Sequence, residues 1–93
     1  MKEFLNLYKT NRFLISVNNL NKTPYNSVLI YPDNNSRRIR NRILELKKHN
    51  VEYLEFSGPT RLGNIQILGK GTSAVVVKGK LRDKNVALKI QRY

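Results

Sequence analysis

The hydrophobic positions of this 93-residue chain fall into short runs with two different periods. Residues 13–17 and 28–31 are rich in β-branched and aromatic residues, a composition typical of buried strands, and Pro32 ends the second run. Residues 36–49 place their apolar side chains at helical spacing, and residues 51–56 form a third apolar run. The order strand, helix, strand with short connections predicts a βαβ unit with a right-handed crossover.

The helix predicted over residues 36–49 is amphipathic and strongly basic. Its apolar positions recur at helical spacing and are Ile39, Ile43 and Leu46. The remaining arc carries six cations, which are Arg37, Arg38, Arg40, Arg42, Lys47 and Lys48. Asn35 or Ser36 can cap the N-terminus of this helix, and Asn50 can adopt the left-handed conformation that ends it.

The pattern changes after residues 57–60, where a Gly-Pro pair breaks both helix and sheet and marks the best domain boundary in the chain. Beyond it the pattern is purely β, with three predicted strands over residues 65–68, 74–81 and 86–90. Two successive hairpins of this kind predict an antiparallel three-stranded meander. The expected fold class is therefore α+β, with a basic, βαβ-like module in residues 1–60 followed by the antiparallel sheet in residues 61–93.

The charge balance adds a function class to this picture. Lys and Arg number 18 against 6 Asp and Glu, a formal net charge of +12 that predicts an attractive field for polyanions. The six helix cations are accordingly a possible polyanion-binding surface for nucleic acid or for an acidic protein, the alternative being an ordinary solvated helix face. Four interleaved aromatic residues are expected in the strand core, which weakens a base-stacking role; they are Tyr25, Tyr31, Tyr53 and Phe56.

Several site and targeting classes are not expected. The chain has no cysteine for a disulfide or a thiolate zinc site, and the lone His49 cannot build a metal site without several carboxylates beside it. Residues 1–7 lack the unbroken apolar stretch of a secretory signal, and no run approaches the roughly 18 apolar residues that span a bilayer. We therefore expect a soluble, cytoplasmic protein with no membrane partner and no metal ligands.

The most informative constellation lies in the predicted sheet. Gly69 and Gly71 lie between two predicted strands, and Lys89 follows within an apolar strand. Alternation along that last strand places Ala87 and Lys89 on one face and its larger apolar residues on the other, which is free to pack into a core. An ammonium in such a strand calls for an anionic partner. The alternative for each residue taken singly is an ordinary β-turn and a surface lysine on an edge strand.

Together these residues predict a nucleotide-binding pocket. Two glycines let the backbone pass close to phosphate oxygens, Ala87 leaves room for a flat base, and Lys89 supplies a charge for the phosphates. Leu68 and Val76 can cover the base. The predicted ATP-binding residues are Leu68, Gly69, Lys70, Gly71, Val76, Ala87 and Lys89.

Residues 62–93 resemble the start of the N-terminal lobe of the protein kinase superfamily, through its Gly-x-Gly-x-x-Gly-x-Val loop and its Val-Ala-Ile-Lys strand. By position, Gly69 and Gly71 match the first two glycines, Val76 the valine and Lys89 the phosphate-binding lysine, while Ala74 replaces the third glycine. The chain is also similar to small archaeal predicted Ser/Thr kinases with a short N-terminal extension. A dinucleotide-binding fold or a P-loop is disfavoured, because each needs a helix directly after the glycines.

The resemblance implies ATP binding without catalysis by this chain. The family's helix glutamate, catalytic-loop Asp and Asn, and metal-binding Asp have no counterpart in the 93 residues, and phosphoryl transfer depends on those groups and Mg²⁺. Magnesium is expected only together with a C-terminal kinase lobe, which is a candidate partner. The incomplete sheet also predicts an exposed edge, to be covered by dimerisation or by docking of residues 1–60.

Overall fold

The computed structural model describes residues 14–32, 36–82 and 84–91. Within these ranges the α-helices are α1 (Ser27–Ile30) and α2 (Arg37–Lys48), and a 3₁₀ turn covers Val17–Asn19. Its strands are β1 (Leu14–Ser16), β2 (Tyr53–Glu55), β3 (Thr60–Leu62), β4 (Ile65–Ile67), β5 (Gly69–Lys70), β6 (Ala74–Leu81) and β7 (Lys84–Gln91). The fold is α+β, as expected from the sequence.

Strand β6 organises the main sheet, and all its pairings are antiparallel. β7 pairs with β6 along its whole length, from the Leu81↔Lys84 pair at the turn to the Ala74↔Gln91 pair at the far end. The other edge of β6 is shared, because β2 pairs with its second half and β5 with its first half. β1 completes the five-stranded sheet by pairing with β2, while β3 and β4 form a separate hairpin.

The core lies on one face of this sheet and draws on both halves of the chain. Leu20, Val28 and Leu29 come from the 3₁₀ turn region and α1, and they belong to the same buried cluster as Val75 and Val77 of β6. The core-facing side of α2 adds three half-buried side chains to this cluster, which are Ile39, Ile43 and Leu46. The described residues up to position 60 therefore pack on the sheet formed by the described residues after it, and both segments contribute strands to the main sheet.

The βαβ prediction is wrong in two respects. The apolar run at residues 28–31 is mostly helical, since α1 ends with the Tyr31 amide donating to the Ser27 carbonyl at 3.1 Å. Val28 and Leu29 are consecutive and both fully buried, which an alternating strand with one covered face does not allow. The strands on either side of the helices, β1 and β2, also run antiparallel, so the unit contains no parallel crossover.

The basic helix and the last hairpin are confirmed. Helix α2 occupies Arg37–Lys48 within the predicted residues 36–49, and Asn50 after it has the left-handed φ of 65°. Ser36 is the N-cap residue but its side chain makes no capping hydrogen bond, and Asn35 lies outside the described residues. The β6–β7 hairpin matches the second and third predicted strands.

The predicted first strand of the meander is divided. Ile65–Ile67 pairs with β3 in the separate hairpin, and only Gly69–Lys70 pairs with β6. The chain bends at Leu68, whose amide still donates to the Val76 carbonyl at 2.9 Å. The three-strand order β5, β6, β7 is therefore present, but its first member has two residues.

Candidate functional site

The glycine-rich turn and the lysine meet in one row across three strands. Gly69 of β5 lies directly opposite Val76 of β6, and Val76 lies directly opposite Lys89 of β7. Residues directly opposite in antiparallel strands project to the same face. Ala87 lies two residues before Lys89 and shares that face. Four of the predicted ATP-binding residues are thus brought together, and we call them the Gly69–Lys89 row: Gly69, Val76, Ala87 and Lys89.

This face of the sheet is open to solvent, as the alternation in β7 predicted. Ala87 and Lys89 are exposed and Val76 is half-buried. On the opposite face Val75 and Val77 are fully buried and Ile90 is 8% exposed. The apolar half of each strand therefore anchors the sheet in the core, and the other half is available to a ligand.

The glycine-rich turn is a tight hairpin tied to the N-terminal part of the chain. The Gly71 amide donates to the Ala74 carbonyl at 2.8 Å, which closes a two-residue turn over Thr72 and Ser73. The Tyr31 hydroxyl donates a hydrogen bond to the Gly71 carbonyl. Both backbone groups of Gly71, the amide and the carbonyl, are therefore hydrogen-bonded within the protein.

Neither glycine of the turn is required by packing. A Cβ at Gly69 would meet nothing within 4 Å, and a Cβ at Gly71 would meet only the Ala74 carbonyl oxygen, at 4.0 Å. The backbone at both positions also lies outside the left-handed region that favours glycine, in contrast to Gly58 and Gly63. The fold leaves open space above both glycines, where a ligand could approach the backbone closely.

Two predicted residues lie away from the row. Lys70 is exposed and opposite Val75, so alternation directs its side chain to the other face at the end of β5. Leu68 is half-buried at the bend before β5. Their positions place them beside the row rather than in it.

Lys89 is a surface lysine on an edge strand. No carboxylate of the described residues forms an ion pair with it, and its exposure means that its charge needs no partner for stability. Exposure removes the desolvation cost from which the sequence argument for an anionic partner started, and an anionic ligand at Lys89 stays a prediction. Its neighbour on the same face, Lys78, does have a partner, since its ammonium is 3.3 Å from the Glu55 carboxylate.

The six cations of α2 do not form one surface. Arg37, Arg40, Lys47 and Lys48 are exposed, whereas Arg38 and Arg42 are half-buried. The guanidinium of Arg42 donates to the Gln91 carbonyl on the outer edge of β7 and lies 3.7 Å from Glu45. Arg42 therefore fixes the helix to the sheet, and the outer basic face of α2 consists of the four exposed cations.

One exposed aromatic residue departs from the sequence analysis. Phe56 is buried and its ring centroid is 5.2 Å from that of Tyr25, as core positions require. Tyr53, which was also expected in the core, is 42% exposed. It lies opposite Lys80 on the open face of the sheet and also lines a cavity of about 480 Å³. Strict alternation from the buried Leu54 would have placed Tyr53 on the outer face.

Comparison of the chain with protein-family models, with curated proteins and with solved structures finds no match. Within residues 14–32, 36–82 and 84–91, neither helix has the length and apolar character needed to cross a membrane. The same ranges hold no group of three or more His, Cys, Asp or Glu side chains placed to bind a metal ion.

Proposed function

We propose that the Gly69–Lys89 row is the floor of an ATP-binding half-site of a protein-kinase-like lobe. The observation that carries the proposal is the open space above Gly69 and Gly71, which neither packing nor backbone conformation explains. Small residues kept where nothing crowds them are what a closely approaching phosphate chain requires. Lys89, in the same row, supplies a charge for the phosphates, and Val76 and Ala87 supply an apolar floor for the base.

The proposed role is binding rather than phosphoryl transfer. The 93 residues contain no counterpart of the family's catalytic-loop and metal-binding groups, on which transfer depends. The half-site of this chain holds the nucleotide from one side. A C-terminal kinase lobe is the partner that would cover the other side and supply Mg²⁺ ligands.

The test is a titration of the ¹⁵N-labelled chain with Mg-ATP, followed by two-dimensional amide NMR. We expect shifts at Gly69, Gly71, Ala87 and Lys89. Gly69→Val should abolish these shifts without loss of stability, because a Cβ at this position meets nothing within 4 Å and the side chain would fill the open space. Lys89→Ala should weaken binding by about tenfold or more, as loss of a charged hydrogen bond does.

Lys84→Ala is the matched control for the lysine. Lys84 is an exposed lysine of the same strand, five residues from Lys89, so its removal lowers the net charge equally. ATP binding that survives Gly69→Val, or that falls equally in Lys84→Ala and Lys89→Ala, would reject the half-site.

A second candidate function is polyanion binding by the outer basic face of α2. Arg40, Lys47 and Lys48 are exposed on this face and the net charge is +12. Binding through several phosphates should weaken steeply with salt, and reversing these three charges to Glu should remove it. Lys89→Ala should leave it unchanged, which separates it from the ATP site. An acidic protein is the alternative partner of the same surface.

A further inference from the structure

A cavity lies at the end of the sheet opposite the glycine-rich turn. It has a volume of about 480 Å³ and opens to solvent between the 3₁₀ turn, the last turn of α2, the start of β2 and the β6–β7 turn. Tyr53 of the cavity lies opposite Lys80, four residues along β6 from Val76 of the Gly69–Lys89 row, which is a separation of roughly 13 Å along the strand. The cavity is therefore a separate place on the molecule.

The cavity combines three kinds of side chain. Lys47 of α2 and Arg82 of the β6–β7 turn bring two exposed cations to it from different elements. Asn18 and Asn50 bring two exposed amides, and Tyr53, a residue that is 42% exposed, also lines the cavity. An aromatic face, amide groups that both donate and accept, and cations are the groups that bind a base and its phosphate.

The backbone fixes this arrangement. The Arg82 amide donates to the Glu52 carboxylate at 2.9 Å, which ties the β6–β7 turn to the start of β2. On the opposite wall the Asn18 amide donates to the Ser16 hydroxyl at 3.3 Å. Glu52 also lines the cavity, and its carboxylate can accept a hydrogen bond from a base N–H such as N3–H of uracil.

We infer that this cavity binds one nucleotide of a single-stranded nucleic acid, with the base stacked on Tyr53 and the phosphate at Lys47 and Arg82. The strand is favoured over a free nucleotide because Lys47 also belongs to the outer basic face of α2. From Lys47 the exposed cations Lys48 and Arg40 continue along the helix and can meet neighbouring phosphates. An acidic peptide is disfavoured, because it would bring carboxylates against Glu52 and has no flat group for Tyr53.

This inference goes beyond both proposed functions, since it assigns a discrete base-binding site that neither requires. Fluorescence anisotropy with a labelled oligouridylate of about eight nucleotides, at fixed salt, tests it directly. Tyr53→Ala should weaken binding by roughly 5- to 100-fold, as loss of one base stack does, whereas Tyr53→Phe should bind as the unaltered chain does. Lys47→Ala should lower the slope of the logarithm of affinity against the logarithm of salt concentration by about one, as the loss of one phosphate contact does.

Controls separate this site from the rest of the surface. Gln66→Ala removes an exposed side chain of β4, outside both the cavity and α2, and should leave binding unchanged. Lys89→Ala should also have no effect. Because Tyr53 is exposed, its variants should keep the thermal unfolding midpoint of the unaltered chain, which circular dichroism checks.

Three results would overturn the inference. Equal affinity for an abasic oligomer of the same length and charge would show that no base is bound. Equal affinity for uridine monophosphate would assign the cavity to a free nucleotide, and equal affinity for a poly-glutamate peptide would assign it to an acidic protein. Unchanged oligouridylate affinity in Tyr53→Ala would show that the Tyr53 ring does not contact the nucleic acid.

Discussion

The carboxylate of Glu55, on the open face of the sheet, is held in its ionised form by its neighbours. The Ser57 hydroxyl donates to its carboxylate at 2.8 Å, and the Lys78 ammonium lies 3.3 Å away. The Ser57 hydrogen bond is the largest cause of a lowered pKa of Glu55; partial burial opposes it, and Lys78 and Lys80 add to it. Glu55 is therefore ionised to lower pH in the folded chain than in the unfolded one.

The lowered pKa of Glu55 makes stability depend on pH with a definite sign. Above the ordinary value of 4.5 the ionised carboxylate stabilises the fold, and this contribution is lost as the pH falls below 4.5 through the lowered pKa. Ser57→Ala should raise the pKa of Glu55 and reduce the change in unfolding free energy between about pH 6 and pH 3, measured by urea denaturation. In a Glu55→Gln background the same substitution should leave the pH dependence unaltered; an undiminished effect there would assign it to another group.

Two glycines with positive φ differ in what surrounds them. Gly58 has φ of 135° and a Cβ there would overlap the Ile67 carbonyl, whereas Gly63 has φ of 60° and open space around it. Gly58→Ala should therefore cost more than about 2 kcal/mol of unfolding free energy, and Gly63→Ala only about 1 kcal/mol. Chemical denaturation of the two variants measures the difference. Equal costs would mean that the segment at Gly58 moves away from β4.

At the scale of elements, α2 offers a matched pair of leucines. Leu46 is half-buried against the core, and Leu44 on the outer face is 53% exposed. Leu46→Ala should lower the unfolding free energy by about 2 kcal/mol, and Leu44→Ala should change it by no more than about 0.5 kcal/mol. Denaturant titration of both variants tests the assignment of the helix faces. Similar losses would indicate that the outer face of α2 is covered in solution.

The sequence was informative where an element is long enough to show its period. The twelve residues of α2 and the eight of β6 contain enough repeats of the hydrophobic pattern to identify each element as helix or strand and to assign its buried face. Alternation along β7 also placed Ala87 and Lys89 on the correct face. The four residues of α1 carry no period, so a short buried helix and a short buried strand look alike.

Pairing partners and exposure could not be predicted in the same way. That β1 pairs antiparallel with β2, and that β4 leaves the meander to pair with β3, depends on contacts distant in sequence. Alternation assigned Lys89 to the face of β7 away from the core, but whether another element covers that face depends on the rest of the chain. The cavity at Tyr53 likewise needs four elements from different parts of the chain.

At the scale of the molecule, β6 joins the two halves of the chain. Its one edge receives β2 from residues 1–60, and its buried Val75 and Val77 share a core with Leu20 and Leu29. Neither half holds a complete sheet or a complete core. The described part of the chain therefore has the contacts of one cooperative unit.

Separate expression of residues 1–60 and 61–93 tests this unity. Each fragment alone should lack a cooperative thermal transition by circular dichroism, because its apolar sheet face has no cover. An equimolar mixture should regain part of the sheet signal of the full chain. A sharp transition in either fragment alone would show that residue 60 separates independently folding domains.

The shared edge of β6 also sets an order of events during synthesis. β1 and β2 leave the ribosome early, but the strand on which β2 pairs is complete only at Leu81. At about 5–20 residues per second this delay is on the order of one to five seconds, while a helix such as α2 can form within about a microsecond. For those seconds the nascent chain carries an unpaired strand with Leu54 uncovered, so the rate of translation through residues 56–81 sets how long that strand is open to mispairing.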